Sequence, residues 1–374
     1  MEKLIYIHVA RLGDSLNRKK GMFSGYDDAT NDWYVIKQRG EGRGDRVQIS
    51  RVFEGASRVF EGAGQLNRSH LALLDTDCVV IGSLLYVIGG CCLLCDSCNY
   101  NCRYLRYREI RCLDTRNPQD GWRTCFTLPF RSCVPVSTVV DSQWLYLFPF
   151  KETCCYGFNI EDGKSVQTLP KPSNCKSVQT LPKPSNCTSS PCFSTSLSPG
   201  TLVAYERREN TLYQLDCKNS AWTVYHKDFL PYSYKELLGS SFAVDDDGIL
   251  YIYLRVYIRL ISFDIRNKKE LHAVDLPRSF WYGLEEDYVE LIVLSKNKFC
   301  LLWDGLGTNI NQRRIYYSRF SVSYDDLDDP IVDGEETRSF LVAGYEVLNV
   351  VIVDPPEDVG SSRVDVSGGG EKPK

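Results

Sequence analysis

The sequence predicts an all-β protein, on three observations: an excess of aromatic residues, short runs of alternating apolar side chains, and a unit that recurs along most of the chain. The chain carries 23 Tyr and 16 Phe among 374 residues, and flat rings pack well on a pleated, half-buried surface. Its apolar fraction of 43% supplies ample core. Only two Met are present, which argues against a flexible, Met-lined groove.

The recurring unit is an apolar strand, a variable loop, and a second strand ending in an aromatic residue or Leu. Asp or Asn, a polar turn and often Trp then follow. The first copy reads Leu4 to Val9, then Tyr26, Asp27 and on to Trp33. The second is Leu84 to Gly90, then Leu113, Asp114 and Trp122. Later copies pair Trp144–Phe148 with Phe158-Asn159, Leu202–Tyr205 with Leu215-Asp216 and Trp222, and Ile249–Tyr253 with Phe263-Asp264. A worn copy pairs Phe299–Trp303 with Ile315–Phe320. Alternating apolar residues make a half-buried strand, and the Asp or Asn with its polar followers makes a turn. The Trp is expected to open the next strand and fill the space between sheets.

From Leu113 through Phe158 and Leu215 to Phe263 the markers step by 45, 57 and 48 residues. The long step contains a twelve-residue duplication, and without it falls to 45. A four-stranded propeller blade occupies about 40–50 residues. The period therefore predicts a β-propeller of about six four-stranded blades.

An apolar run ending in Gly89-Gly90, with an aromatic-Asp turn followed by Trp, resembles the Kelch repeat. Leu85–Gly90 and Tyr26–Trp33 match it best, and the pattern extends over roughly residues 1–325. The chain is similar to plant Kelch proteins that carry an F-box ahead of the propeller. It departs from them in opening inside a strand, with no room for that helical segment. The resemblance implies a Kelch-type propeller over 1–354. Its structural motif is carried by Tyr26, Asp27, Trp33, Gly89, Gly90, Asp114, Trp122, Phe158, Asp216, Trp222, Phe263 and Asp264.

Because Leu4–Val9 resembles the second strand of a blade, the first blade lacks its first strand, which 339–353 is expected to supply. Residues 355–374, rich in Pro, Gly, Ser and charge, read as a disordered tail. Two perfect tandem copies occur, Ser50–Ala56 with Ser57–Ala63 and Lys164–Cys175 with Lys176–Cys187. Both are expected in surface loops, where added residues cost little closure entropy.

A net charge of −4 provides no basic footprint for phosphates, so nucleic acid is not an expected partner. The basic stretch Arg103–Arg111 reads as a strand with one solvated face. The uncharged run Cys78–Cys95 is interrupted by Gly82, Gly89 and Gly90, and reads as strand, turn and strand rather than a membrane span. No secretory signal is evident, so the 16 cysteines are expected as reduced thiols in cytoplasm or nucleus.

Cys92, Cys95, Cys98 and Cys102 have the spacing of an iron–sulfur or zinc ligand run. Arg103 follows where ferredoxins place Pro, and the segment joins two strands of a hairpin. Surface thiols are the preferred reading, and a metal or redox loop is the alternative. The four histidines, His8, His70, His226 and His272, are scattered. Asp245-Asp246-Asp247-Gly248 reads as an Asp-Gly turn rather than a calcium loop. No catalytic constellation emerges, and no cofactor is expected. The expected function is a monomeric, non-enzymatic protein-binding scaffold, and the resemblance adds substrate recognition for ubiquitin ligation. A propeller enzyme is the further alternative, since a fold alone does not fix activity.

Overall fold

The computed structural model describes residues 4–11, 30–37, 48–53, 73–74, 77–89, 91–92, 109–117, 120–128, 136–148, 154–160, 178–182, 193–219, 221–232, 237, 240–277, 289–306, 312–325, 330–334, 337–343 and 346–353. Every extended element among them is a β-strand, and the strands pair antiparallel throughout. They form an all-β propeller whose blades are consecutive up-and-down sheets.

Each blade runs outward from the axis. In the second blade the order is Asp77–Ile81, Leu84–Ile88, Glu109–Asp114 and Arg123–Thr127. The third uses Val136–Val140, Trp144–Phe148, Cys154–Asn159 and Val178–Pro182. Phe193–Ser198, Thr201–Glu206, Thr211–Asp216 and Ala221–His226 make the fourth. Ser241–Val244, Ile249–Leu254, Arg259–Asp264 and Lys269–Asp275 make the fifth. The first blade takes its inner strand from the far end of the chain. Glu346–Val353 lies beside Leu4–Arg11, followed by Thr30–Lys37 and Gln48–Phe53.

The expected six four-stranded blades are corrected to five four-stranded ones, because the remaining sheet has five strands. Val289–Ser295 and Lys298–Leu306 lead to a thirteen-residue strand, Gln312–Tyr324. That strand is long enough to hold two outer partners end to end. Pro330–Gly334 pairs with 320–324, and Arg338–Ala343 pairs with 312–317. The stretch 339–353 is therefore divided. Its first part belongs to this sheet, and Glu346–Val353 pairs with the first strand. Residues 355–374 lie outside the described residues.

The repeat has one physical core. In five of the units a buried residue of the second strand faces the marker residue of the third: Leu85 to Leu113, Leu145 to Phe158, Leu202 to Leu215, Leu250 to Phe263 and Phe299 to Phe320. All ten are at most 4% exposed, each worth about 1.5–3 kcal/mol of burial. Hydrophobic clusters fill the junctions between neighbouring sheets. One joins Val203 and Tyr205 to Leu250 and Ile252, and another joins Ile5 and Ile7 to Cys300 and Ile315. Trp122 meets Trp33 of the preceding blade at 5.8 Å with the rings tilted, and Trp222 meets Phe148 edge-on at 6.0 Å. Gly157 is small for a packing reason: a Cβ there would stand 2.9 Å from the Tyr146 ring.

Trp33 itself departs from its expected place. It lies within the third strand of its blade, facing His8, not after the turn that follows that strand. Tyr26 and Asp27 are outside the described residues, as is Gly90. Gly89 ends its strand with φ +64°, a left-handed conformation that glycine adopts without a Cβ penalty.

The marker carboxylates build one turn three times. Asp114 accepts from the Arg116 N–H and the Asn117 side chain; Asp216 accepts from the Lys218 and Asn219 N–H groups and the Asn219 side chain. Asp264 repeats this with Asn267, at 2.8 and 2.7 Å. Burial pulls the Asp114 and Asp264 carboxyls upward, but these bonds hold both below the usual carboxylate range. The Asn219 bonds lower exposed Asp216 likewise. The N–H of Thr115, Ile160, Cys217, Ile265 and Val322 then bonds to the carbonyl of the first hairpin turn, at Ser83, Gln143, Gly200, Gly248 and Asn297. This face of the ring is thereby a set of short, interlocked turns.

The tandem copies are not confined to loops. Ser50–Phe53 of one pair and Val178–Pro182 of the other lie in outer strands, while their duplicates fall outside the described residues. Either twelve-residue copy carries the same strand sequence. Deleting Lys164–Cys175 is therefore expected to move the melting temperature by no more than about 2 °C, since shortening a loop changes its closure entropy little. A drop of 10 °C in a thermal melt would show that the two copies are not interchangeable.

Candidate interaction face

Opposite the interlocked turns lie the loops joining second to third strands and each outer strand to the next blade. In the fourth and fifth blades the same four-residue turn appears twice, at Arg207–Asn210 and Arg255–Ile258. Its last residue has positive φ in both, 49° at Asn210 and 52° at Ile258. That residue's carbonyl accepts a bond from the following loop, from Phe229 N–H in one blade and Leu276 N–H in the other, each at 2.9 Å.

The side chains at that position differ in kind. Asn210 suits a left-handed backbone. It also ties the loop down, accepting from Tyr205 Oη–H and Leu230 N–H and donating to the Leu230 carbonyl at 2.6 Å. Ile258 is β-branched, and a β-branched residue at positive φ is a genuine outlier costing of order 1–3 kcal/mol. It persists because its side chain is 3% exposed and packs with Tyr253, Leu260, Val274 and Leu276. Burial anchors the turn from below.

The tip above this anchor is apolar. Val256 and Tyr257 are 57% and 47% exposed, where the fourth blade presents Arg208 and Glu209. Other exposed large apolar side chains among the described residues, such as Val224, Leu271 and Ile331, stand singly on outer strands. Single ones need no explanation; adjacent ones on a raised turn do. Arg259 flanks the tip, its Nε 2.6 Å from Asp275 Oδ1. That bond raises the guanidinium pKa, and Tyr232 and Tyr257 add to it more weakly. The same pairing holds the Asp275 carboxyl below its usual range. As an exposed ion pair it contributes little stability, but it fixes Arg259 among two tyrosines. Arg207 of the neighbouring blade sits 5.7 Å over the Phe242 ring.

Residues singled out in the sequence are distributed around the scaffold. Asp114, Asp216 and Asp264 lie on the opposite face, and Trp122, Phe158, Trp222 and Phe263 pack inside the sheets. His226 packs edge-on against Phe229 and Phe263, and His272 lies 4.1 Å from the Tyr324 ring. Asp245 caps its hairpin, accepting from Ile249 N–H and Tyr251 Oη–H, with Gly248 at φ +83°. Cys95, Cys98 and Cys102 lie outside the described residues. Cys92 pairs with Leu73 in a short ladder that prolongs the hairpin of the second blade. Among the described residues no three His, Cys, Asp or Glu side chains come together as a metal site, and no helix is long and apolar enough to cross a membrane.

No protein-family model matches the sequence, and no curated protein matches it. Among solved structures, the chain is similar to a hydrazine synthase of Kuenenia stuttgartiensis, at 12% identity and TM-score 0.39 over 67% of this chain and 63% of that one. It thus spans less than two thirds of that protein's length. It is also similar to a virginiamycin B lyase from Staphylococcus aureus, at 11% identity and TM-score 0.41 over 88% of each chain. A third likeness is to the Cps50 (Swd1) β-propeller domain of Myceliophteria thermophila, at 11% identity and TM-score 0.38 over 69% of this chain and 68% of that one. Likenesses of this size carry no argument about activity. The strand pairings themselves make the chain an all-β β-propeller.

Proposed function

We propose that this protein is a non-enzymatic scaffold of the Kelch type that seats a protein partner on the loop face of its fourth and fifth blades. The observation that carries the reading is the Val256–Tyr257 tip, apolar, exposed and anchored by buried Ile258. Binding energy concentrates in a few aromatic and Arg side chains at the centre of an interface, and Tyr232, Tyr257 and Arg259 bring those types to one spot. A rigid scaffold displaying loops is where recognition residues belong. The net charge of −4 fits a protein partner better than a nucleic acid.

The resemblance of Leu85–Gly90 to a Kelch strand supports a finer form of the proposal. The partner is a substrate presented for ubiquitin ligation in cytoplasm or nucleus, and the scaffold acts as a monomer without a cofactor. Affinity purification with mass spectrometry, comparing the protein with a Val256→Ser, Tyr257→Ser variant, tests the binding site. Proteins captured by the original chain are expected to fall at least tenfold in the variant. Stability should change by no more than about 0.5 kcal/mol, as for surface substitutions. Unchanged capture by a folded variant would remove this face from the proposal.

A further inference from the structure

The matching turns of the fourth and fifth blades differ most beneath their tips. Tyr205 and Tyr253 hold the same place in the second strand. Tyr205 faces Phe193 and Leu212, and Tyr253 faces Ser241 and Leu260. Each stands five residues before the positive-φ residue that closes its turn. In the fourth blade the two are joined, Tyr205 Oη–H donating to Asn210 Oδ1 at 3.0 Å. In the fifth, Ile258 stands in place of the asparagine and provides no side-chain acceptor. Tyr253 is fully buried, and its hydroxyl makes no hydrogen bond. Burial pushes that hydroxyl up to about 12, with the Arg255 charge opposing, so it remains a donor at neutral pH.

The loop that follows has lost its half of the lock as well. Asn210 Oδ1 also accepts from Leu230 N–H at 2.9 Å, and its Nδ2 donates to the Leu230 carbonyl. The residue matching Leu230 is Pro277, which has no N–H. The backbone bond is kept: Leu276 N–H reaches the Ile258 carbonyl at the same 2.9 Å as Phe229 N–H reaches that of Asn210. The fifth-blade turn therefore carries two unfavourable features that the fourth lacks. One is a β-branched residue at φ 52°, and the other is a buried hydroxyl without a partner. A single movement relieves both. When the turn lifts, Ile258 leaves the left-handed region and Tyr253 Oη meets an outside oxygen.

We propose that the Arg255–Ile258 turn is a hinged tip that opens and recloses in the free protein, beside a fourth-blade turn that stays shut. A protein partner holds it open by placing a carbonyl or carboxylate oxygen against Tyr253 Oη. The use of the hinge rests on the reading that Val256 and Tyr257 seat a partner, whereas its opening does not.

Native-state hydrogen exchange on the free full chain tests the opening, because each turn accepts one matched amide. Leu276 and Phe229 are both buried and bonded at 2.9 Å, yet Leu276 is expected to exchange at least tenfold faster after correction for intrinsic rates. Tyr253→Phe removes the unpaired hydroxyl and little else. It should slow Leu276 at least threefold and leave the urea midpoint unchanged or raised, whereas Tyr205→Phe should speed Phe229 and lower the midpoint. Ile258→Asn supplies the missing acceptor, and in that background Tyr253→Phe should speed Leu276 instead of slowing it. Equal protection of Leu276 and Phe229 in the original chain, or faster Leu276 exchange in Tyr253→Phe alone, would overturn the hinge and leave the partner-binding tip standing. Unchanged capture by the Val256→Ser, Tyr257→Ser variant would instead remove the use of the hinge and not its opening.

Discussion

Replacing Phe263 by alanine is expected to destabilise the protein by about 3–5 kcal/mol, the range for removing a buried aromatic ring. Phe263 is 4% exposed and faces Leu250 across the fifth blade. Its ring meets Phe229 edge-on at 4.4 Å and His226 at 6.3 Å, so it also holds the loop that leaves the fourth blade. The surrounding strands are fixed by their own ladders and cannot collapse into the vacated space, which keeps the loss near the upper end. A whole domain is stable by only about 5–15 kcal/mol. The measurement is a urea titration, in which the midpoint falls while the slope is kept. Val224→Ala, on an exposed outer-strand residue, should move the midpoint by less than 0.5 kcal/mol equivalent. A Phe263→Ala loss no greater than that control would show that the marker residues are not the core of the repeat.

Those markers were legible because each stands immediately before a turn-forming Asp or Asn, so a core position and a turn announce each other. The turn itself was only half read. The Asn three residues after Asp114, Asp216 and Asp264 is plain in the sequence, and it closes the carboxylate's hydrogen bonding. Trp33 was assigned to the wrong side of a turn because Asp27 and Trp33 imitate a marker pair, whereas pairing with Leu4–Arg11 fixes Trp33 inside the third strand. The extra strand was hidden because Gln312–Tyr324 contains no Gly, Pro, Asn or Asp to break it, and an unbroken strand does not say how many partners it has. The Val256–Tyr257 tip was missed for a related reason. From Ile249 to Phe263 the run is nearly all apolar and has no Gly, Pro or Asn, so nothing local marks a turn at Ile258. Only alignment with Glu206–Asn210, where Asn fills the same position, would have exposed it.

Ending the chain after residue 345 is expected to remove a large part of the fold's stability, because it deletes the strand that, among the described residues, joins the two ends of the sequence. Glu346–Val353 pairs with the first strand from Leu4↔Val353 to Ala10↔Glu346, with a bulge at His8 and Val9. It also lies against Asp77–Ile81 of the next blade. Its loss uncovers one side of Ile5, Ile7 and Val9, all fully buried. At about 1.5–3 kcal/mol for each such side chain, even half of that sum is a large part of a domain's 5–15 kcal/mol. The first strand would become an unpaired edge carrying apolar residues, a template for association with other chains. The truncated protein should therefore scatter light on warming and melt well below the full chain. A chain ending after Val353 should melt within about 2 °C of it, since the closing strand is retained. A synthetic peptide of residues 346–353 should partly restore the melting temperature of the shorter chain, because the ladder needs the strand and not its covalent link. Equal melting of the two truncations would refute closure of the ring by this strand, and failure of the peptide alone would mean that the entropy of tethering decides the pairing.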